Sequence, residues 1–236
     1  MKLSYTDAAN ESGKTILIYG GSGAGKTYFA ARAPKPLYID IEGGKLTILK
    51  MKLKLPILEP TSYPEIVEIL SIFSMGTPEP EGYKVKIDGQ VLHFNSIIID
   101  TVDEMGRKVM QSILKDAKKE IPVFEQWNLC ITRIRNLLES FRNLSRKGVN
   151  VFFLCHEELE KSDLTKIVKG QPAIFGKLSE EIQAMVDIVF HLTVVNGVRQ
   201  VDAQPVGIWG GKDRTGSILK TEAADFDTIW KKLSAS

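Results

Sequence analysis

Apolar residues along this chain come in short continuous runs, each ended by a glycine, an acid or a polar residue, with mixed stretches between them. TILIYG (15–20), LYID (37–40), SIIID (96–100) and VNVFFLC (149–155) are runs of this kind. A strand that is apolar at every position is buried on both faces, the habit of a parallel sheet covered by helices. The stretches between the runs read as helices. KTYFAARA (26–33) is stopped by Pro34 and Pro36. SYPEIVEILSIFSM (62–75) carries Ser62 and Glu65 at capping-box spacing. Two helical stretches cover about 101–119 and 124–147, and KLSEEIQAMVD (177–187) has helical periodicity.

Other segments read as antiparallel pieces. YKVKIDGQVLHF (83–94) is a hairpin about Asp88-Gly89, and IVFHLTVV (188–195) turns at Asn196-Gly197 toward VRQVDA. Residues 157–172 read as a polar loop and VGIWG (206–210) as the last strand. The pattern implies an α/β fold: a mostly parallel sheet with helices on both faces and antiparallel strands at one edge. One domain is expected over 1–236, with 1–14 an N-terminal arm and 221–236 a C-terminal tail.

Composition narrows this little. A chain of 236 residues, 43% apolar and 25% charged, suits one α/β domain. A net charge of +2 creates no overall field for nucleic acid or membrane, so any such contact is local. Cys130 and Cys155 show neither a disulfide framework nor a metal spacing and read as core thiols. No run approaches the roughly 18 apolar residues of a membrane span, and the start of the chain lacks a signal-peptide core. A cytoplasmic location and no membrane partner are expected.

The chemistry begins at GGSGAGKT, Gly20 to Thr27, which fills every fixed position of G-x-x-x-x-G-K-[ST] between a strand and a helix. Gly20, Gly21, Ser22, Gly23, Ala24 and Gly25 would wrap a phosphate with backbone N–H groups at a helix N-terminus. Lys26 would reach the β- and γ-phosphates of ATP, and Thr27 would place its hydroxyl on Mg²⁺. Tyr28 follows directly, either near the nucleotide or packed under the loop. SIIID delivers Asp100 to a strand tip, where a second Mg²⁺ acid belongs. Thr101 follows it, not the glutamate many ring ATPases carry there. Asp103 and Glu104 read as acids complementing the dipole of the next helix. The water-orienting group is sought elsewhere, and Glu42, just past the LYID strand, lies at the carboxyl end of the sheet.

With these residues the chain resembles the RecA-like ATPases. In that family the strand after the phosphate-loop helix ends in Asp-x-Glu, whose Glu is the catalytic base, and Asp40-Ile41-Glu42 matches. The family's metal-binding strand ends in Asp and a small hydroxyl residue, as Asp100-Thr101 does. Its γ-phosphate sensor, usually Gln, falls on His156. A Lys-x-Lys/Arg pair that contacts ATP across a subunit interface is similar to Lys212-Asp213-Arg214. YTDA (5–8) is similar to the aromatic-x-x-Ala tether through which recombinase subunits polymerise. Within the superfamily the chain resembles compact phage-encoded ATPases of single-strand annealing or recombination type, over most of 13–220. The resemblance implies a three-layer RecA-like P-loop NTPase core that uses ATP and Mg²⁺. It also implies self-association into a ring or filament, contact with single-stranded DNA and with a replication or recombination protein such as a single-strand binding protein, and the cytoplasm of a bacterial host.

Basic segments that could meet DNA are Lys45, Lys50, Lys52 and Lys54, and Arg133, Arg135, Arg142, Arg146 and Lys147. The segment 157–175 mixes Lys161, Lys166 and Lys169 with Glu157, Glu158, Glu160 and Asp163, so its charge favours neither side. Phe175 is a stacking platform or a buried anchor. His93 and His191 read as satisfied strand residues. Two other functions stay open from sequence: a P-loop small-molecule kinase, and a non-catalytic ATP switch that loads or scaffolds a replication protein.

Overall fold

In the computed structural model, which describes residues 13–161, 166 and 168–235, YTDA (5–8) and Asp163 lie outside the described residues. β1 (Thr15–Gly20) runs through the phosphate loop into α1 (Lys26–Ala30). β2 (Pro36–Asp40) is followed by α2 (Lys45–Lys50), β3 (Ile57–Leu58) and α3 (Tyr63–Ser74). β4 (Thr77–Glu79), β5 (Gly82–Ile87) and β6 (Gln90–Phe94) make a small antiparallel sheet of their own. β7 (Ser96–Asp100) leads to α4 (Val102–Ala117) and α5 (Phe124–Asn143), which closes in a 3₁₀ turn over Leu144–Lys147. Then come β8 (Asn150–Lys161), β9 (Val168–Pro172), α6 (Leu178–Met185), β10 (Ile188–Val195) and β11 (Val198–Asp202). β12 (Lys212–Asp213), β13 (Thr221–Ala223) and α7 (Phe226–Ser234) finish the chain.

The main sheet has the order β13-β11-β10-β1-β8-β7-β2-β3, with β12 added on β10 and β9 on β8. The six strands from β10 to β3 are parallel, and β11, β12, β13 and β9 pair antiparallel. Alternation along the apolar runs sorts their side chains to two faces. Leu17, Tyr19, Leu37, Ile39, Ile97, Ile99 and Phe153 pack on one face with residues of α3, α4, α5 and α6. Ile16, Ile18, Tyr38, Ile98, Phe152 and Leu154 pack on the other with α1, α2 and α7. This is the three-layer, mostly parallel core expected, with β11, β12 and β13 toward one edge and β9 alone on the central strand β8.

Both hairpins turn where the sequence indicated, through left-handed Asp88-Gly89 and Asn196-Gly197. Three local readings differ. Residues 157–161 and 168–172 are strand, not loop: β8 runs on past the sheet to Lys161 and pairs with β9. VGIWG is a closed turn, not a strand, with the N–H groups of Val206 and Trp209 bonded to each other's carbonyls. The capping box at Ser62 is shifted: the Ser62 side chain caps nothing, while Glu65 reaches back to the Thr61 N–H at 2.7 Å.

The 221–236 stretch carries β13 and α7. Asp225 caps α7 by accepting from the Thr228 N–H at 2.9 Å, and Phe226, Ile229 and Leu233 enter the core. Cys130 and Cys155 are free and buried. No helix among the described residues is long and apolar enough to cross a membrane.

Candidate active site

β1, β2, β7 and β8 all end at one edge of the sheet and open onto a cleft of about 710 Å³. The phosphate loop, Glu42, Asp100 and His156 all line it, as do Tyr28, Arg32, Lys50 and Arg199. Gly25 opens α1 at φ 100°, a backbone few side-chain-bearing residues adopt. The Lys26 ammonium is folded into the loop, donating to the carbonyls of Gly20 at 2.9 Å and Gly21 at 3.1 Å. Burial pulls its pKa down, against the pull of Asp100 and Glu42.

Thr27 Oγ1 donates to Asp100 Oδ2 at 2.7 Å, and the Tyr38 hydroxyl donates to the same oxygen. Burial raises the pKa of Asp100. Gly44 passes close over this acid, where a Cβ would stand 3.0 Å from the Tyr38 hydroxyl and 3.3 Å from Asp100 Oδ2. A hydroxyl and a carboxylate in direct contact beside a phosphate loop are hard oxygen donors of the kind Mg²⁺ takes together with phosphate. Thr27 and Asp100 therefore fit the ion.

Asp40 explains why the strand ends in two acids. It accepts the N–H groups of Gly43 at 2.8 Å, Gly44 at 2.7 Å and Lys45 at 3.0 Å, fixing the turn that carries Glu42. The N–H groups of Ile41 and Glu42 also donate to the Asp100 carbonyl, at 2.7 and 3.1 Å. Asp40→Ala leaves the three bonded N–H groups without a partner. It is expected to cost about 1–2 kcal/mol, roughly 2–8 °C in Tm, and to lower hydrolysis more than nucleotide binding. Thermal unfolding and initial-rate measurements check both.

Glu42 meets His156 across the cleft, with Oε1 3.6 Å from Nε2. His156 Nδ1 lies 2.9 Å from Asp103 Oδ2, and its backbone N–H donates to Asp103 Oδ1 at 3.2 Å. Its bond to Asp103 raises the His156 pKa against the effect of burial. Burial opposes the Asp103 charge, but the bonds to His156 prevail and its pKa falls. Burial raises the pKa of Glu42, Asp100 and Asp103 add to that, and His156 and Lys26 oppose. Glu42 keeps 41% of its side chain open, so water tempers the shift. Asp103 is thus more than a dipole-complementing acid: it orients the ring facing Glu42 and raises its pKa. Its position near a strand tip was visible in sequence, but its reach to β8 was not.

Lys212 and Arg214 stand apart from the cleft of their own chain. Lys212 Nζ donates to the carbonyls of Gln183, Ala184 and Val186 at 2.8, 3.1 and 2.6 Å, capping the end of α6. Arg214 donates to the Ala184 carbonyl at 3.1 Å and approaches Asp187. The basic stretch of α5 is partly engaged, as Arg135 grips Glu181 through two bonds of 2.7 and 2.9 Å. Arg133 lies over the Tyr63 ring. Phe175 is half-buried against Trp127, an anchor more than a platform. His191 is buried between Tyr19 and Trp209 and bonds Glu157 at 2.8 Å. His93, Glu79 and Glu81 converge, but the Lys84 ammonium already holds Glu79 at 2.9 Å.

A parallel sheet whose strand tips hold a phosphate loop and a Thr–Asp pair defines a P-loop NTPase. The chain belongs to the family described as an AAA domain, whose model matches residues 12–215, and so to the P-loop ATPases. It is also similar to the crystal structure of the flagellar accessory protein FlaH from Methanocaldococcus jannaschii, at 11% identity and a TM-score of 0.46, over 89% of this chain and 84% of that one. No curated protein matches the chain.

Proposed function

We propose that the protein hydrolyses ATP, with Glu42 as the base that draws a proton from the attacking water. The observation that carries this is the Glu42 carboxylate, which lines one cleft with Thr27 and Asp100 and lies 3.6 Å from the His156 ring that Asp103 holds. Water gives its proton to Glu42 as its oxygen bonds the γ-phosphorus, and the bond to the β-phosphate oxygen breaks, yielding ADP and phosphate. Lys26 leaves the loop carbonyls for the phosphates. His156, held by Asp103 with its pKa raised, is suited to report the γ-phosphate. Thr27 and Asp100 would hold Mg²⁺, which would neutralise charge on the phosphates.

The turnover is read as coupled to single-stranded DNA and to assembly of the chain into a ring or filament. The likeness of the sequence to RecA-like annealing and recombination ATPases supports this. So do the exposed lysines 45, 50, 52 and 54, of which Lys50 lines the cleft and Lys45 is paired with Glu59. Single-stranded DNA is expected to raise the ATPase rate several-fold, and an ATP analogue to tighten DNA binding. No stimulation, together with no DNA binding in the analogue, would sink the DNA part and leave the ATPase standing.

A further inference from the structure

We infer that Arg199 is a nucleotide-clamping residue, which contacts the α- and β-phosphates of the bound nucleotide from the β10–β11 hairpin. The inference rests on the cleft being an ATP site. Arg199 lies directly on the phosphate loop: a Cβ built on Gly25 would stand 2.7 Å from its Nε and 2.9 Å from its Cδ. Its guanidinium is 5.9 Å from the centre of the Tyr28 ring, which also carries Arg32 at 4.9 Å. Arg32 is engaged, donating to the Tyr28 hydroxyl at 2.6 Å and pairing with Asp227. Arg199 is not: among the described residues its guanidinium has the Tyr28 ring and no carboxylate or carbonyl acceptor.

Its backbone, by contrast, is fixed. Arg199 pairs with Val194 across the hairpin, and its carbonyl accepts the Ala224 N–H at 3.0 Å. A fork of five donors without an acceptor, anchored at its root and laid over Gly25, is arranged for an anion entering the loop. The γ-phosphate end of the cleft is marked by Glu42 and His156, and Arg199 meets neither. It sits over Gly25 and Tyr28, at the start of α1, where the inner phosphates dock against the helix N-terminus.

Binding of ADP and of a non-hydrolysable ATP analogue, measured by calorimetry on the wild type, Arg199→Ala and Arg199→Lys, tests this. Arg199→Ala is expected to weaken both nucleotides alike, on the order of tenfold, as befits one exposed charge-assisted contact. Arg199→Lys, which keeps the charge but not the fork, should recover part of the loss. The ligand-free Tm should stay put, because the side chain is exposed and bonds no acceptor; a Tm that falls with the affinity would make the role structural and overturn the inference. Unchanged affinity for both nucleotides overturns it, as does a loss confined to the ATP analogue. If Arg199→Ala fails while the wild type binds, the ATP-site reading survives; a wild type that binds neither nucleotide ends both.

Discussion

Glutamine at position 42 is expected to leave ATP bound and to slow its hydrolysis by about 10²–10⁴-fold, the range set by loss of a general base. The substitution keeps volume and hydrogen-bonding reach and removes only the ability to take a proton. The backbone around it does not depend on the side chain: Ile41 and Glu42 hang from the Asp100 carbonyl, and Asp40 closes the turn behind them. Binding falls to Lys26 and the loop, which the substitution leaves alone. The pH profile gives an independent check. Burial lifts the Glu42 pKa above the ordinary carboxylate value, with His156 pulling against it. Below that raised pKa the carboxyl is protonated and cannot act as base, so wild-type turnover should fall as pH drops through it. The residual rate of Glu42→Gln should lack this limb.

Stability separates chemistry from unfolding. A carboxyl whose folded pKa is raised weakens the fold in its charged form, at pH above that pKa. Glu42→Gln should therefore melt no lower than the wild type at neutral pH. Wild-type turnover in a folded Glu42→Gln would place the base elsewhere.

Much of this architecture was legible because it is local. A run apolar at every position has one stable home, the middle of a covered sheet, and β1, β2, β7 and the first half of β8 announce themselves so. Glu42 and Asp100 were legible for the same reason, since a strand tip fixes which way its last residues point. What escaped depends on pairing between distant segments. The outer half of β8 is polar because it leaves the sheet, and only its partner β9 makes it a strand. Asp103 reads as a helix-start acid until β7 and β8 pair and bring His156 within 2.9 Å. Lys212 reads as one of a pair for a neighbouring subunit's ATP, and no local pattern shows the three carbonyls that the end of α6 presents to it. α7 is a different case. Asp225 as cap and Phe226, Ile229, Trp230 and Leu233 at helical spacing were on view, and the tail reading passed over them.

Lys26→Met is expected to cost ATP affinity about 10–100-fold while leaving the ligand-free fold as stable as before, or more so. The affinity loss follows from charge-assisted bonds to phosphate, worth roughly 1.5–3 kcal/mol, where each 1.4 kcal/mol is tenfold. The stability follows from the pKa. Lys26 is buried, and burial lowers its pKa despite Asp100 and Glu42. An ammonium with a depressed folded pKa weakens the fold while charged, and stability rises as pH climbs through that pKa. Methionine keeps the stem and removes the charge, so this burden goes with it. The carbonyls of Gly20, buried, and Gly21, half-buried, lose their donor, which offsets part of that gain. Phosphate binding reverses the balance at Lys26, because an adjacent polyanion favours the charged form. Wild-type ATP affinity should therefore fall as pH rises through the depressed pKa, while the weak binding of Lys26→Met should lack that step. Calorimetric titration of the ATP analogue across alkaline pH, beside thermal melts of both proteins, measures each part. A Lys26→Met protein that binds as tightly as the wild type would remove the lysine from the phosphate contact and leave it a strut of the loop.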